Sequence, residues 1–342
     1  MRTSFISLAL LLLSLVSCSQ SENTNKTHLP NVTGRNGEVL IVMNETIKAD
    51  TSGQFLRAML TDDFVGLNAP EPLFDIQSIS PKYLTADMKT FRNIIYVEVA
   101  DSILNDTTLF YKDNWATPQA FITVRAHNKQ ALLKTLENNQ LRILGYLTKS
   151  ERDRMISFNK RTGNNAISKE LGNRFGVNIV VPNTFSRCKP HNPSDLSWIM
   201  IDTDASQCGM FMYEYEYASE DCLSKEYILN VRDKLLLANV EGPHNSYMCT
   251  ETRFGLDEIT YKAGYFNGQY VAELRGLWRM EGYAMGGPFV LRAHLDQERN
   301  RVVVTDGYVY YPSKDRKRNL IRQLEAVMYS LEFPKNEEYK NN

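Results

Sequence analysis

Residues 267–281 read Asn-Gly-Gln-Tyr-Val-Ala-Glu-Leu-Arg-Gly-Leu-Trp-Arg-Met-Glu. Asn-Gly is the strongest short hairpin signal, because both residues tolerate the positive φ of a type I′ turn. The residues after the turn alternate. Ala272, Leu274, Gly276, Trp278 and Met280 form one face, and Glu273, Arg275, Leu277, Arg279 and Glu281 form the other. A period of two marks a strand with one face on a core. The stretch 289–296 repeats the pattern, with Phe289, Leu291, Ala293 and Leu295 opposite Arg292, His294 and Asp296. A hairpin of these strands sets Arg275, Arg279, Arg292 and His294 on one polar face. Guanidinium forks there suit a carboxylate or phosphate, which makes this the candidate ligand-binding surface. The plainer account is a solvated sheet face laced with cross-strand ion pairs.

Outward from this hairpin the rhythm continues. Strands are expected at 177–181, 198–202, 209–217, 259–266, 270–283, 289–296 and 301–311. Their turns fall at Asn267-Gly268, Gly286-Gly287-Pro288 and Glu298-Arg299-Asn300. Gly286-Gly287-Pro288 lacks the Lys and the strand–loop–helix setting of a phosphate loop, so it reads as a hairpin turn. Helices are expected at 167–175, ended by Gly176, and from Ser224 to about Asn239. A last helix starts near Ser313, with Leu320, Leu324, Val327 and Leu331 on one stripe. The result is an antiparallel meander with helices at its start, middle and end.

The first half reads as helices packed on a mixed sheet. Strands are expected at 39–43, 74–79, 93–99 and 119–125, with a helix capped by Asp50-Thr51-Ser52 and running through Leu60. Asn128 caps a helix carrying Leu132, Leu133 and Leu136. Thr148-Lys-Ser-Glu151 fits a capping box opening another helix to about Asn159. The polar run 161–165 (Arg-Thr-Gly-Asn-Asn) is the domain boundary. The fold class is therefore α+β with two domains: an N-terminal domain at 34–160, a C-terminal sandwich at 165–333, and a tail at 334–342.

Of five cysteines, Cys188, Cys208, Cys222 and Cys249 lie in the second half. An even count in an exported chain points to two disulfides, and sequence alone allows three pairings. If 177–181 is the first strand of the meander, Cys188 and Cys222 fall at one end and Cys208 and Cys249 at the other. Same-end pairing favours Cys188–Cys222 and Cys208–Cys249.

Cys188-Lys-Pro-His191 sets a thiol three residues from an imidazole. It could be a thiolate nucleophile or half a metal site. A Lys-Pro loop at a hairpin tip is the blander account, and zinc needs paired ligands that are absent here. His244 with Cys249 reads the same way. No metal or cofactor is expected, and catalytic residues remain unknown. Net charge is −1, so nothing favours nucleic acid. A composition of 43% hydrophobic and 23% charged residues is that of a folded chain.

The N-terminus sets the address. Arg2 precedes an apolar run over residues 5–16, the shape of a secretory signal and too short to span a bilayer. It ends in Leu15-Val16-Ser17-Cys18, which resembles the bacterial lipobox. The resemblance implies loss of residues 1–17, with diacylglycerol on the Cys18 sulfur and a further acyl chain (palmitate or similar) on its amino group. Several acyl chains anchor a protein firmly, where one gives only marginal binding. Ser19, where Asp would signal inner-membrane retention, favours the outer membrane. Residues 18–33 are polar and read as a flexible tether. Asp101-Ser102-Ile103 and Asp106-Thr107-Thr108 resemble the Asp-Ser/Thr-hydrophobic O-glycosylation motif of exported Bacteroidota proteins, with Ser102 and Thr107 as acceptors in an expected loop.

The lipobox, Gly37-Glu38-Val39-Leu40, Pro70-Glu71-Pro72-Leu73-Phe74, Arg275-Gly276-Leu277-Trp278 and Ala284-Met285-Gly286-Gly287-Pro288-Phe289 occur in order. Together they resemble a Bacteroidota lipoprotein family, the domain of unknown function 4837. That resemblance implies boundaries and address but no chemistry. By topology alone, residues 167–333 are similar to the Mog1/PsbP-type α/β/α sandwich, whose members mostly bind partners. Two functional readings are open. One is a non-enzymatic binding or scaffold module, tethered to the envelope and facing an envelope protein partner. The other is an envelope hydrolase or transferase with a site between the domains. A deep cleft near 155–180 lined by carboxylates or His would favour the enzyme, and a shallow apolar patch with a polar rim the binding module.

Overall fold

The computed structural model describes residues 29–312 and 317–334. The leader, Cys18, most of the expected tether, the helix start at Ser313 and most of the tail lie outside the described residues. Among the described residues are six helices and thirteen strands in two sheets, an α+β fold.

The first sheet holds β1 (Glu38–Val42), β2 (Asp75–Ile79), β3 (Asn93–Val99), β4 (Thr107–Lys112) and β5 (Ala120–Ala126), in the order β2-β1-β3-β5-β4. Only β4 runs antiparallel to its neighbour. The unbroken apolar run of β1 fits its central place, with Val39 and Ile41 facing one core and Leu40 and Val42 the other. After the short α1 (Glu45–Lys48), α2 (Thr51–Thr61) begins where the Asp50 carboxylate accepts from Ser52 N–H. The two helices expected after Asn128 are one, α3 (Lys129–Thr162), 34 residues and about 50 Å long. The supposed capping box lies mid-helix. Glu151 there is buried, bonded by Asn93 (2.6 Å) and paired with Arg154 (2.7 Å) and Arg92 (3.0 Å). Burial pushes its carboxyl pKa up, but the two guanidiniums outweigh that and hold it below the usual range.

Beyond α4 (Asn165–Phe175), capped by left-handed Gly176, lie β6 (Ser186–Cys188), β7 (Ser197–Asp202), β8 (Gln207–Glu216), α5 (Lys225–Asn239) and β9 (Tyr247–Thr250). Then come β10 (Thr260–Phe266), β11 (Gln269–Glu281), β12 (Tyr283–Asp296), β13 (Arg301–Tyr310) and α6 (Arg318–Met328). The antiparallel order is β10-β11-β12-β13-β8-β7-β6, with β9 also on β11. One face packs under α5 and the other under α4 and α6, giving helix–sheet–helix layers.

Four expectations are corrected. Residues 177–181 do not join the sheet; they form a single bridge, Asn178 to Glu332, and pack Val177, Ile179 and Val181 into the core under α4 and α6. The turn is not at Gly286-Gly287-Pro288 but at Gly282 (φ +87°). The two glycines sit inside β12, because a Cβ at Gly287 would lie 2.1 Å from the Val309 carbonyl and one at Gly286 2.7 Å from that of Trp278.

Both disulfide pairings also fail, and the four cysteines are free thiols. Without 177–181 as first strand, the alternation of ends is lost. Cys208 on β8 and Cys249 on β9 are separated by β13, β12 and β11, about 19 Å along the sheet against about 7 Å for a bridge. Cys188 pairs with Trp198, which lies level with Phe211. The Cys222 carbonyl accepts from Oη of Tyr215, whose backbone lies four residues beyond Phe211 along β8, about 13 Å. Finally, Thr107 is no loop residue: it opens β4 opposite Arg125, while Ser102 is exposed in a turn.

Candidate functional site

β11 and β12 pair with Glu273 opposite Arg292 and Val271 opposite His294, a register set by the turn at Gly282. The polar face therefore exists, but most of it is covered. Arg275 pairs with Glu273 and with Glu325 of α6, both at 2.6 Å. Burial works against its charge, yet the two carboxylates outweigh burial and raise its pKa. The N-terminal loop 64–67 lies on it: a Cβ at Gly66 (φ +88°) would approach the Arg275 Cβ to 2.8 Å. Arg292 is 2% exposed and lies against the Tyr329 ring, 3.5 Å from its centroid. The other face of that ring carries Arg152 of α3 at 3.7 Å, and Tyr329 Oη donates to Glu273 at 2.7 Å. His294 is fully enclosed, with no partner among the described residues for either ring nitrogen. Burial, helped by the Arg292 charge, holds its pKa well below the usual range, so it is neutral. Arg279, partly exposed like Arg275, pairs with Glu281 (2.5 Å) and approaches Glu251 (3.6 Å).

This face is where the two halves of the chain dock. The Pro70-Glu71-Pro72-Leu73-Phe74 stretch supplies the other side. The Glu71 carboxylate caps α6, accepting from Lys317 N–H and from Arg318 N–H (3.0 Å), as a helix N-terminus favours. Arg318 reaches the Pro72 carbonyl (2.5 Å) and Asp75 (2.8 Å). Arg322 donates to the Leu73 carbonyl (2.6 Å) and lies over the Phe64 and Phe74 rings. Burial and Arg318 lower its pKa to about 10, so it stays charged at neutral pH. Sequence reading found the sheet face but missed this seam, because nothing local says that α6 and a distant Pro-Glu-Pro loop share one site.

The open site is a groove of about 520 Å³ beside the seam. Val65 and Leu67 come from the N-terminal half, Phe254 and Leu277 from the C-terminal half, and Glu251, Asp257 and Glu258 rim it. Phe254 is 72% exposed and Val65 52%. The one signal for it in the sequence is an aromatic residue in a polar, glycine-containing loop. Near 155–180 a hollow of about 620 Å³ is lined by Lys160, Ser168, Lys169, Asn173 and Asn178, with Glu332 its single carboxylate. Cys188 and His191 share no hydrogen bond, and burial followed by Asp202 pushes the Cys188 pKa up, which disfavours a thiolate. No cluster of three or more metal-ligating side chains occurs among the described residues.

Fold and site thus define a two-unit α+β protein whose sheet face is committed to internal docking. Residues 164–330 match the domain of unknown function DUF4837, and the C-terminal unit belongs to that family. Residues 32–160 match a second domain of unknown function, DUF8532. No curated protein matches the chain.

Proposed function

We propose that this chain is a non-enzymatic binding module of the bacterial envelope, lipid-anchored through Cys18 in the outer membrane, with a protein partner. The observation that carries the binding role is the groove at Val65, Leu67, Phe254 and Leu277: apolar walls, an acidic rim and an open mouth suit a protein segment better than a small substrate. The enzyme reading places a site between the units. Apart from the groove, that seam is filled by guanidinium–carboxylate pairs and the Arg152–Tyr329–Arg292 cluster, which supports docking instead. The lipid anchor rests on the Leu15-Val16-Ser17-Cys18 motif.

Crosslinking in the native envelope, read by mass spectrometry, tests the binding role. A stoichiometric protein partner is expected, lost several-fold in Phe254→Asp with the melting curve unchanged. Equal recovery from both forms overturns it. Cys18→Ala is expected to abolish acyl labelling and release the chain from the membrane fraction; retention there overturns the anchor.

A further inference from the structure

β10 is the outer strand of the eight-stranded sheet, and residues 261–265 are exposed on both of its faces. It closes on β11 through Asn267 (φ +49°) and Gly268 (φ +79°), with Phe266 opposite Gln269. In such a two-residue hairpin the closing pair is hydrogen-bonded and the pairs then alternate. Thr260, Lys262 and Gly264 therefore bond to β11. The N–H and C=O groups of Tyr261, Ala263 and Tyr265 face outward, and no backbone partner among the described residues meets them. Native sheets blunt an edge by shortness, charge or cover. β6, at the opposite edge, has only three residues, and on β4 the Tyr111 carbonyl accepts from Tyr146 Oη. β10 has one lysine and, among the described residues, no cover.

The sequence of this edge is complementary to itself in one register. Antiparallel pairing centred on Ala263 sets Ala263 against its copy and Tyr261 against Tyr265 of the other chain, twice. All three outward residues of each strand are then hydrogen-bonded, and tyrosines pair across the strands. Lys262 falls opposite Gly264, where a Cβ would meet nothing within 4 Å. Moving the centre to residue 262 would set Lys262 against its own copy. Moving it to 264 would oppose Tyr261 to Asn267, which is already committed to the turn. We propose that two copies of this chain pair through β10 about a two-fold axis at Ala263, joining their sheets into one. This goes beyond the proposed function and stands without it.

The mass of the mature chain by light scattering tests it. The wild type is expected to be a dimer. Ala263→Asp, which sets two carboxylates face to face on an exposed strand, is expected to be a monomer with an unchanged melting curve. A monomeric wild type, or a dimeric Ala263→Asp, overturns the proposal and leaves the edge to another chain. Register is tested by oxidation. Hydrogen-bonded opposite residues have Cα atoms about 5.5 Å apart, within disulfide range. Ala263→Cys should crosslink well above the wild-type blank and Tyr265→Cys should not, whereas Tyr261→Cys with Tyr265→Cys should. Equal crosslinking of the two single variants overturns the two-fold at Ala263.

Discussion

His294 and Arg232 show opposite ways of burying a polar side chain. His294 sits neutral on β12 opposite Val271, without a partner among the described residues for either ring nitrogen. Its pKa is depressed in the folded chain only. The unfolded chain takes up a proton near pH 6.5, so stability present above that value is lost as pH falls toward the folded-state pKa. Urea unfolding should show the wild type weakening from pH 7 to pH 5 more steeply than His294→Leu; parallel profiles would count against a buried neutral imidazole. Arg232 is buried charged instead. It is held by Asp306 at 2.8 Å and Thr250 Oγ1 at 2.8 Å, beneath the Phe289 ring. Removing one partner strands a buried charge, so Arg232→Met should cost about 3–5 kcal/mol. Arg232→Met with Asp306→Leu should recover most of it, measured by the same unfolding curves.

Among the elements, α6 depends most on distant residues. Its first turn has no side-chain cap of its own, and Glu71, about 250 positions earlier in the chain, supplies one. Glu71→Ala should destabilise the protein by about 1 kcal/mol through the lost cap and speed protease cutting near residue 317. Unchanged cutting would show that α6 is held by its apolar stripe alone. That stripe was legible: Leu324 and Val327 are buried as the period of 3.6 predicts. So was the alternation of β11 and β12, since burial of one face imposes a period of two. Not legible were β9, which is only four residues long, and the failure of 177–181 to join the sheet. Its apolar pattern records burial, and burial under α4 and α6 looks the same in sequence as burial in a strand.

At the scale of the molecule, the two units meet through Arg318, Arg322, Arg275 and the Arg152–Tyr329–Arg292 stack. An interface built of fixed charges and rings should couple their unfolding. Arg318→Ala with Arg322→Ala should split one calorimetric transition into two, each near the stability of a separate unit. A single transition in the double variant would show that α3, whose 34 residues touch both units, carries the coupling by itself.

The sequence by itself determined the α+β class, most strands and helices, and the grouping of Arg275, Arg279, Arg292 and His294 on one side of a hairpin. These arise from local periodicity, because a residue's face in a strand or helix is set by its neighbours in the chain. Only the tertiary structure decided what that face does. Whether a row of arginines meets water, a ligand or another part of the same chain depends on where α6, the Gly66 loop and the Pro-Glu-Pro segment come to rest. The cysteines were misjudged for the same reason: one strand removed from the sheet moves every later residue to a different place, and proximity across a sheet has no periodicity to read.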